Sequence, residues 1–213
     1  MILLKNDKPL RANAPLRGKT LIFLGSSVTE GSAANGESFA ECLVREDGIT
    51  AVKEAVPGTT LAGYGADTYT ARLKNIPAET AADLFVCQLS TNDAGAGLPL
   101  GGASAAGTER FDVGTVAGAI EYIIDYARRT WRCPVIFYTG TRFANERYAA
   151  MVDLLLELRI KWDIGVIDLW NSEKMNAVGA EDYEKYMHDP VHPTAEGYRL
   201  WWTPEFREYL EKY

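Results

Sequence analysis

The sequence has few of the residues that build disulfide frameworks, metal centres and membrane spans. Its three cysteines, Cys42, Cys87 and Cys133, are widely spaced and form no CxxC pair. An odd, scattered set argues against a disulfide framework and a structural zinc. No apolar run approaches the roughly 18 residues of a membrane-spanning helix, and the apolar stretch in residues 1–7 is too short for a signal peptide. We therefore expect no metal, no cofactor, no membrane partner and a cytoplasmic protein, although a removed signal would leave no trace.

Basic charge is also scarce. The chain has 22 Lys and Arg against 29 Asp and Glu, a net charge of −7, without a basic cluster. Because nucleic acids and anionic lipids bind clustered positive charge, neither is expected as a partner. Apolar residues make up 47% and charged residues 24% of the 213 residues, values typical of globular proteins. We expect one domain over residues 1–213, on which residues 1–18 pack as an N-terminal extension.

Short apolar runs rich in β-branched and aromatic residues alternate with helical patterns. The predicted strands are 20–25, 50–56, 83–89, 134–139 and 164–169. The predicted helices are roughly 36–46, 65–75, 113–131, 143–161 and 194–212. Strands separated by helices favour right-handed βαβ crossovers and a parallel sheet covered on both faces. The expected fold is a flavodoxin-like three-layer α/β/α sandwich with five parallel strands in the order 2-1-3-4-5.

In such a sheet, ligands bind beyond the carboxyl ends of the strands. Unusual polar residues follow the first, second, third and fifth predicted strands. The Gly-rich segment 94–107 follows the third strand and predicts a long loop at this edge. Long loops in compact domains often form lids or binding loops.

The only two histidines, His188 and His192, stand in one short segment near the end of the chain. An imidazole base active near neutral pH must therefore come from this segment. Asp189 precedes His192 by three residues, close enough for one tight turn to bring its carboxylate to the ring. A surface loop with a helix N-cap at Thr194 is the plainer interpretation, but it does not explain this pairing. His188 is the alternative base.

Polar residues also follow the first three predicted strands. Ser27 lies in a turn that is either an ordinary strand-to-helix connection or the position of a nucleophile. A phosphate loop is rejected, because the Gly-x-Gly-x-x-Gly spacing is absent and Asn13 replaces the first glycine of a Walker A motif. Gly58 fits a Pro-Gly turn, and its unhindered N–H could also enter an anion site. Asn92 either caps a turn or directs its amide at developing charge.

Together, these blocks resemble the SGNH (GDSL-type) hydrolase family, in which Ser, Gly, Asn and His occupy four separated blocks. The matching residues are Ser27, Gly58, Asn92 and His192. The resemblance spans residues 20–198, and its most specific motif is 189–198. This chain departs from the family pattern at Ser26, where the family has Asp, and at Ser90, where it has Gly.

The resemblance implies a Ser-His-Asp esterase with no cofactor and no metal. Ser27 would be the nucleophile, His192 the base and Asp189 the group that orients the ring. The backbone N–H groups of Ser27 and Gly58 and the side-chain amide of Asn92 would form the oxyanion hole.

The implied substrate is a small-molecule carboxylic ester with a small or medium acyl group, often carried by a sugar or another alcohol. Segment 94–107 has few large apolar residues, which disfavours a long-chain lipase. Trp201, Trp202 and Tyr198 are interpreted as packing residues, with a sugar platform as the alternative. A second functional hypothesis is a catalytically silent carbohydrate or small-ester binding module on the same fold, suggested by Ser26.

Overall fold

The computed structural model describes residues 1–6, 8 and 10–213, and within them six strands form one mixed sheet in the order β1-β3-β2-β4-β5-β6. The strands are β1 (Ile2–Lys5), β2 (Thr20–Gly25), β3 (Thr50–Ala55), β4 (Leu84–Gln88), β5 (Val135–Tyr138) and β6 (Gly165–Ile167). Strands β2 to β6 pair in parallel, and Leu21 of β2 lies opposite Ala51 on one side and Leu84 on the other. These five strands confirm the predicted order and parallel arrangement.

The prediction of five strands was wrong by one, because part of the N-terminal extension joins the sheet. Strand β1 pairs antiparallel with β3, with Ile2 opposite Lys53 and Lys5 opposite Thr50. Most of its side chains are exposed. A short edge strand of this kind lacks the alternation of buried and exposed positions that marks a strand in a sequence.

Helical segments connect the strands and cover both faces of the sheet. They are α1 (Ser27–Glu30), α2 (Phe39–Asp47), α3 (Tyr69–Arg72), α4 (Thr91–Ala96), α5 (Val116–Thr130), α6 (Glu146–Trp162), α7 (Glu173–Asn176), α8 (Ala180–Tyr186), α9 (Ala195–Gly197) and α10 (Thr203–Leu210). Helices α3, α5 and α6 pack on one face, and α2 and α10 on the other. Nowhere in the described residues is a helix both long and apolar enough to cross a membrane.

Helix α5 shows how the sequence pattern produces this packing. Thr115 caps its first turn, where the hydroxyl oxygen accepts a hydrogen bond from the N–H of Gly118 at 3.1 Å. Ile120, Ile123 and Ile124 form one fully buried stripe. The opposite face of the sheet is packed by aromatic rings of the last helical region.

The predicted helix 194–212 is interrupted at its centre. Residues Tyr198–Trp202 form one π-helical turn between α9 and α10. Tyr198, Trp201 and Trp202 are 1%, 8% and 0% exposed, which confirms the packing interpretation and excludes these rings as a sugar platform.

The loop that contains the Gly-rich segment begins later than predicted, because α4 includes residues 94–96, and it continues over residues 97–115 to α5. Its centre is fastened to the α5–α6 layer: the N–H of Ser104 donates to Glu121 at 3.0 Å, and Lys161 donates to the carbonyl of Ser104 at 2.5 Å. Glu121 is fully buried and forms an ion pair with Lys161. These bonds hold the segment against two helices.

Candidate active site

The turn between β2 and α1 presents Ser27. A side chain at Gly25 would place its Cβ 1.8 Å from the Thr29 hydroxyl oxygen, so only glycine fits this position. Beneath the turn, the Oε1 oxygen of Gln88 accepts hydrogen bonds from the N–H of Ser26 and the hydroxyl of Thr29, both at 2.9 Å. Thr29 also bonds the hydroxyl of Tyr138 at 2.6 Å. Buried polar groups of the next two strands therefore fix the backbone beside Ser27.

Three side chains form a continuous hydrogen-bonded relay. The Oγ atom of Ser27 lies 2.8 Å from Nε2 of His192, and Nδ1 of the same ring lies 2.8 Å from Oδ2 of Asp189. Because an ionised carboxylate only accepts, the neutral ring carries its proton on Nδ1. Nε2 is then the acceptor for the Ser27 hydroxyl. The fold joins these residues across 165 positions of sequence.

The loop that carries the histidine is braced mainly by its own atoms. Oδ1 of Asp189 accepts the N–H groups of Val191 at 2.8 Å and His192 at 2.9 Å, and Met187 forms an antiparallel bridge with Pro193. Partial burial alone would raise the pKa of the Asp189 carboxyl, but these hydrogen bonds and the ring outweigh it and lower that pKa below its ordinary 3.8. The carboxylate therefore stays charged opposite the ring at neutral pH.

His188, the alternative base, is exposed. Its backbone N–H donates to the carbonyl of His192 at 2.9 Å. The structure brings His192, rather than His188, to Ser27.

Gly58 and Asn92 meet at the loop that follows β3. Gly58 adopts a left-handed conformation with φ of 78°, which favours glycine, and the space where its Cβ would project is open. One N–H of the Asn92 amide donates to the carbonyl of Thr59 at 2.8 Å. Within the described residues, the second N–H of that amide has no protein partner. The arrangement brings Asn92 to the loop that carries Gly58.

The sequence gives no signal for Arg72, which ties this loop to the β2–α1 turn that carries Ser27. Its side chain is 5% exposed, and its Nη2 atom donates both to the carbonyl of Gly25 at 2.7 Å and to the hydroxyl of Thr59 at 2.8 Å. Nη1 faces the buried carboxylate of Glu54 at 3.3 Å. Arg72 ends the short helix α3, and no local motif distinguishes it from a surface arginine.

Asp93, the neighbour of Asn92, makes its contacts about 30 positions away in the chain. Its two carboxylate oxygens accept the N–H groups of Leu61 at 2.7 Å and Ala62 at 2.8 Å. Burial raises the pKa of Asp93 above its ordinary 3.8, and these two hydrogen bonds oppose that rise. Asp93 therefore anchors the end of the loop that begins at Gly58.

The two departures from the family pattern lie together beneath the site. Ser26 and Ser90 are both fully buried near the phenol of Tyr69, and their hydroxyls donate to Gln88 and to the carbonyl of Thr59, each at 3.4 Å. Burial raises the pKa of the Tyr69 phenol well above its usual value, so the phenol stays neutral. Neither serine interrupts the contact between Ser27 and His192.

The three thiols offer no competing nucleophile. Cys42, Cys87 and Cys133 are free and buried. Burial raises the pKa of each thiol, that of Cys133 to about 11. Thiolate, the reactive form, is therefore scarce near neutral pH.

A small cavity lies beside the residues that neighbour Ser27 and His192 in the chain. Its walls include Val28, which follows Ser27, Val191, which precedes His192, and the ring of Phe143. Its volume is about 10 Å³, about the space that one water molecule needs.

Known proteins share this fold at low sequence identity. A protein from Lactobacillus plantarum superposes with a TM-score of 0.74 at 18% identity, covering 92% of this chain and 98% of its own. A possible lipase from Chitinophaga pinensis gives 0.69 at 14% identity, with coverages of 91% and 98%. The acetyl xylan esterase AlAXEase gives 0.61 at 15% identity, with coverages of 89% and 98%. No curated protein matches the sequence.

A family model provides the assignment that these low identities cannot. Residues 23–200 match the model of the GDSL-like Lipase/Acylhydrolase family, a span that includes all four blocks of the resemblance. The five parallel strands and the matched residues cover largely the same part of the chain. The chain therefore belongs to the GDSL-like lipase/acylhydrolase family.

Proposed function

We propose that this protein hydrolyses carboxylic esters of short acyl groups, with Ser27 as the nucleophile. The observation that carries the proposal is the unbroken relay from the Ser27 hydroxyl through His192 to Asp189, with both contacts at 2.8 Å. Membership in an ester-hydrolysing family supports the same chemistry.

In the first half of the reaction, Oγ of Ser27 attacks the ester carbonyl carbon while Nε2 of His192 takes the hydroxyl proton. The tetrahedral intermediate then expels the alcohol, which receives that proton from Nε2. Asp189 holds the ring in the required tautomer and stabilises its charged form. The product of this half is an acyl ester of Ser27.

In the second half, His192 removes a proton from water as the water oxygen attacks the acyl carbon. The carboxylic acid leaves, and the proton on Nε2 returns to the Oγ atom of Ser27. The oxyanion of both intermediates would be bound by the N–H groups of Ser27 and Gly58 and by the second N–H of the Asn92 amide. Each such donor contributes about 10²–10³ in turnover.

The Gly-rich segment 94–107 favours short acyl groups. It has few large apolar residues, so it offers no continuous apolar wall for a long chain. We infer an acetyl or similarly short acyl chain. The fold similarity to an acetyl xylan esterase is consistent with an acetylated carbohydrate as the substrate.

The test is hydrolysis of p-nitrophenyl esters of increasing chain length by the wild-type protein and by Ser27→Ala. We expect the acetate to be cleaved fastest and the variant to lose about 10⁴-fold or more in kcat while keeping its melting temperature. A fluorophosphonate should label the wild-type protein once, at Ser27, by peptide mass spectrometry. Undiminished turnover by folded Ser27→Ala would refute the proposal.

The silent binding module remains the competing hypothesis. The sequence feature that suggested it, Ser26, has a buried side chain 3.4 Å from Gln88. That position lies outside the relay, so the substitution at Ser26 gives no reason to expect inactivity.

A further inference from the structure

One exposed aromatic ring is held in a fixed orientation. Tyr64 is 81% exposed, yet its hydroxyl donates to Oδ1 of Asp112 at 2.6 Å. The ring also lies against the backbone of Gly114, where an added Cβ would stand 2.7 Å from the ring carbon Cε2. The hydroxyl end of the ring therefore contacts protein, and most of the ring meets solvent.

The loops on either side of this ring are fastened together. The N–H of Gly63 donates to the carbonyl of Val113 at 2.7 Å, and the N–H of Gly114 donates to Asp112 at 3.0 Å. The hydrogen bond with Asp112 raises the pKa of Tyr64, and the same bond lowers the pKa of Asp112. At neutral pH the bond is thus a phenol donating to a carboxylate, a strong type.

The fixed ring borders an open groove of about 240 Å³. The groove combines a second aromatic ring with polar groups: its walls include Thr68, Thr70, Lys74 and Tyr122. The ammonium of Lys74 lies 5.9 Å from the centre of the Tyr122 ring. Flat apolar faces beside hydroxyl and ammonium groups do not suit a long acyl chain, which needs a continuous apolar lining.

The groove belongs to the same loop as the candidate oxyanion glycine. Gly58 precedes Tyr64 by six residues, a span of at most about 20 Å of chain. Between them, Leu61 and Ala62 are anchored on Asp93, the neighbour of Asn92. A ligand that occupies the groove therefore lies within reach of an extended substrate bound at Ser27.

We propose that this groove binds a pyranose ring of a carbohydrate, stacked on the exposed face of Tyr64. A pyranose has one face of C–H bonds, which suits the negative face of an aromatic ring, and a rim of hydroxyls, which suits the ammonium of Lys74 in the wall of the groove. Because the hydroxyl of Tyr64 is already bonded to Asp112, stacking costs less side-chain entropy than it would on a free side chain. The inference rests on the proposed ester hydrolysis, since it assigns the alcohol part of the substrate to an oligosaccharide.

Two variants test the proposed stacking on Tyr64 in different ways. Tyr64→Ala removes the ring, whereas Gly114→Ala keeps it and displaces it, because the new Cβ would overlap Cε2. Tyr64→Trp preserves an aromatic face. Tyr213→Ala is the matched control. Tyr213 is the last residue of the sequence and is also an exposed tyrosine, at 46%.

The catalytic readout is a ratio: kcat/KM on acetylated xylotetraose divided by kcat/KM on p-nitrophenyl acetate. We expect this ratio to fall about tenfold in Tyr64→Ala and Gly114→Ala, mainly through KM on the oligosaccharide. It should stay close to the wild-type value in Tyr64→Trp and in the Tyr213→Ala control. An unchanged ratio in Tyr64→Ala overturns the proposal while leaving ester hydrolysis itself intact.

A binding measurement tests the proposed sugar site independently of turnover. Calorimetry with xylotetraose and cellotetraose on the Ser27→Ala protein should show millimolar or tighter binding of at least one tetrasaccharide, weakened about tenfold by adding Tyr64→Ala. Absence of binding, or equal affinity with and without the ring, overturns the platform. A wild-type protein that binds these sugars but cleaves no ester would refute the proposed function and retain this inference.

Discussion

The two halves of the candidate site are held in place by different means. The nucleophile half, formed by the β2–α1 turn and the loop after β3, is fixed by buried side chains from elsewhere in the fold: Arg72 is 5% and Gln88 2% exposed. The histidine half is fixed by hydrogen bonds among near neighbours in the chain, residues 183–198, and the side chains of Asp189 and His192 are 41% and 27% exposed. One half depends on the core, and the other depends largely on a local turn.

In the proposed mechanism, the two halves have separate tasks that match this difference. Backbone groups that must meet a developing oxyanion have to be positioned to within fractions of an ångström, and buried, multiply bonded neighbours provide that rigidity. The base must accept and return a proton, which requires access to the leaving alcohol and to water. The half-buried, locally braced His192 fits this task.

The largest effect should come from the base itself. His192→Ala should lower kcat for p-nitrophenyl acetate about 10⁴-fold, because Ser27 loses its proton acceptor. His188→Ala, four residues away in the same loop, is the matched control and should stay within about twofold of the wild-type rate. Comparable losses in both variants would mean that the loop, and not the His192 ring, determines activity.

A smaller effect should follow a change on the nucleophile half. Arg72→Lys keeps the charge but cannot bond Gly25, Thr59 and Glu54 together, because lysine lacks the planar fork. We expect kcat to fall about 10–100-fold with KM nearly unchanged, since the shift displaces the groups that meet the oxyanion. Arg129→Lys, in an exposed pair, is the control and should change neither constant.

This variant also tests whether the tie is only structural. If Arg72→Lys lowers the melting temperature while kcat is unchanged, Arg72 is a stabilising residue with no positioning role. A fall in kcat together with weaker binding of a boronic acid inhibitor, which mimics the tetrahedral intermediate, would support positioning.

The smallest effect distinguishes the halves by the sign of their pH dependence. The pKa of Asp189 is lowered, so its contribution to stability is present above its ordinary 3.8 and is lost as the pH falls through the lower folded value. The pKa of Asp93 is raised, so its contribution is present below 3.8 and is lost as the pH rises through the higher folded value.

Melting temperatures measured from about pH 2.5 to 7 check both signs. The gap between the wild-type protein and Asp189→Asn should widen as the pH rises towards 3.8. The gap for Asp93→Asn should narrow as the pH rises above 3.8. Parallel behaviour of the two gaps would contradict the contrast drawn between the two halves.

The sequence predicted the features that are written in local patterns. Five strands, their order and the main helices follow from runs and periods of apolar residues, as the stripe on α5 shows. The histidine half could be predicted equally well, because Asp189, His192 and the Thr194 cap are near neighbours in the chain. The preference for packing over a sugar platform at Tyr198, Trp201 and Trp202 is also confirmed by their burial.

The missed features depend on contacts between distant parts of the chain. The Arg72–Gly25 bond joins residues 47 positions apart, and the Ser26–Gln88 bond joins residues 62 positions apart. No periodicity encodes such pairs. Strand β1 was missed for a related reason. Its side chains are mostly exposed and form no apolar face, and its backbone forms a strand by pairing with β3. The fixed ring of Tyr64 likewise depends on a loop 48 positions away.

The order of the catalytic blocks along the chain has a consequence for biosynthesis. A ribosome makes Ser27 early and adds His192 only after 165 further positions, and the hydroxyl that bonds the carbonyl of Val28 belongs to the later Tyr198. In the proposed mechanism, a nascent chain with its serine already outside the exit tunnel has no base to activate it. Interrupted translation would therefore release fragments that cleave no esters.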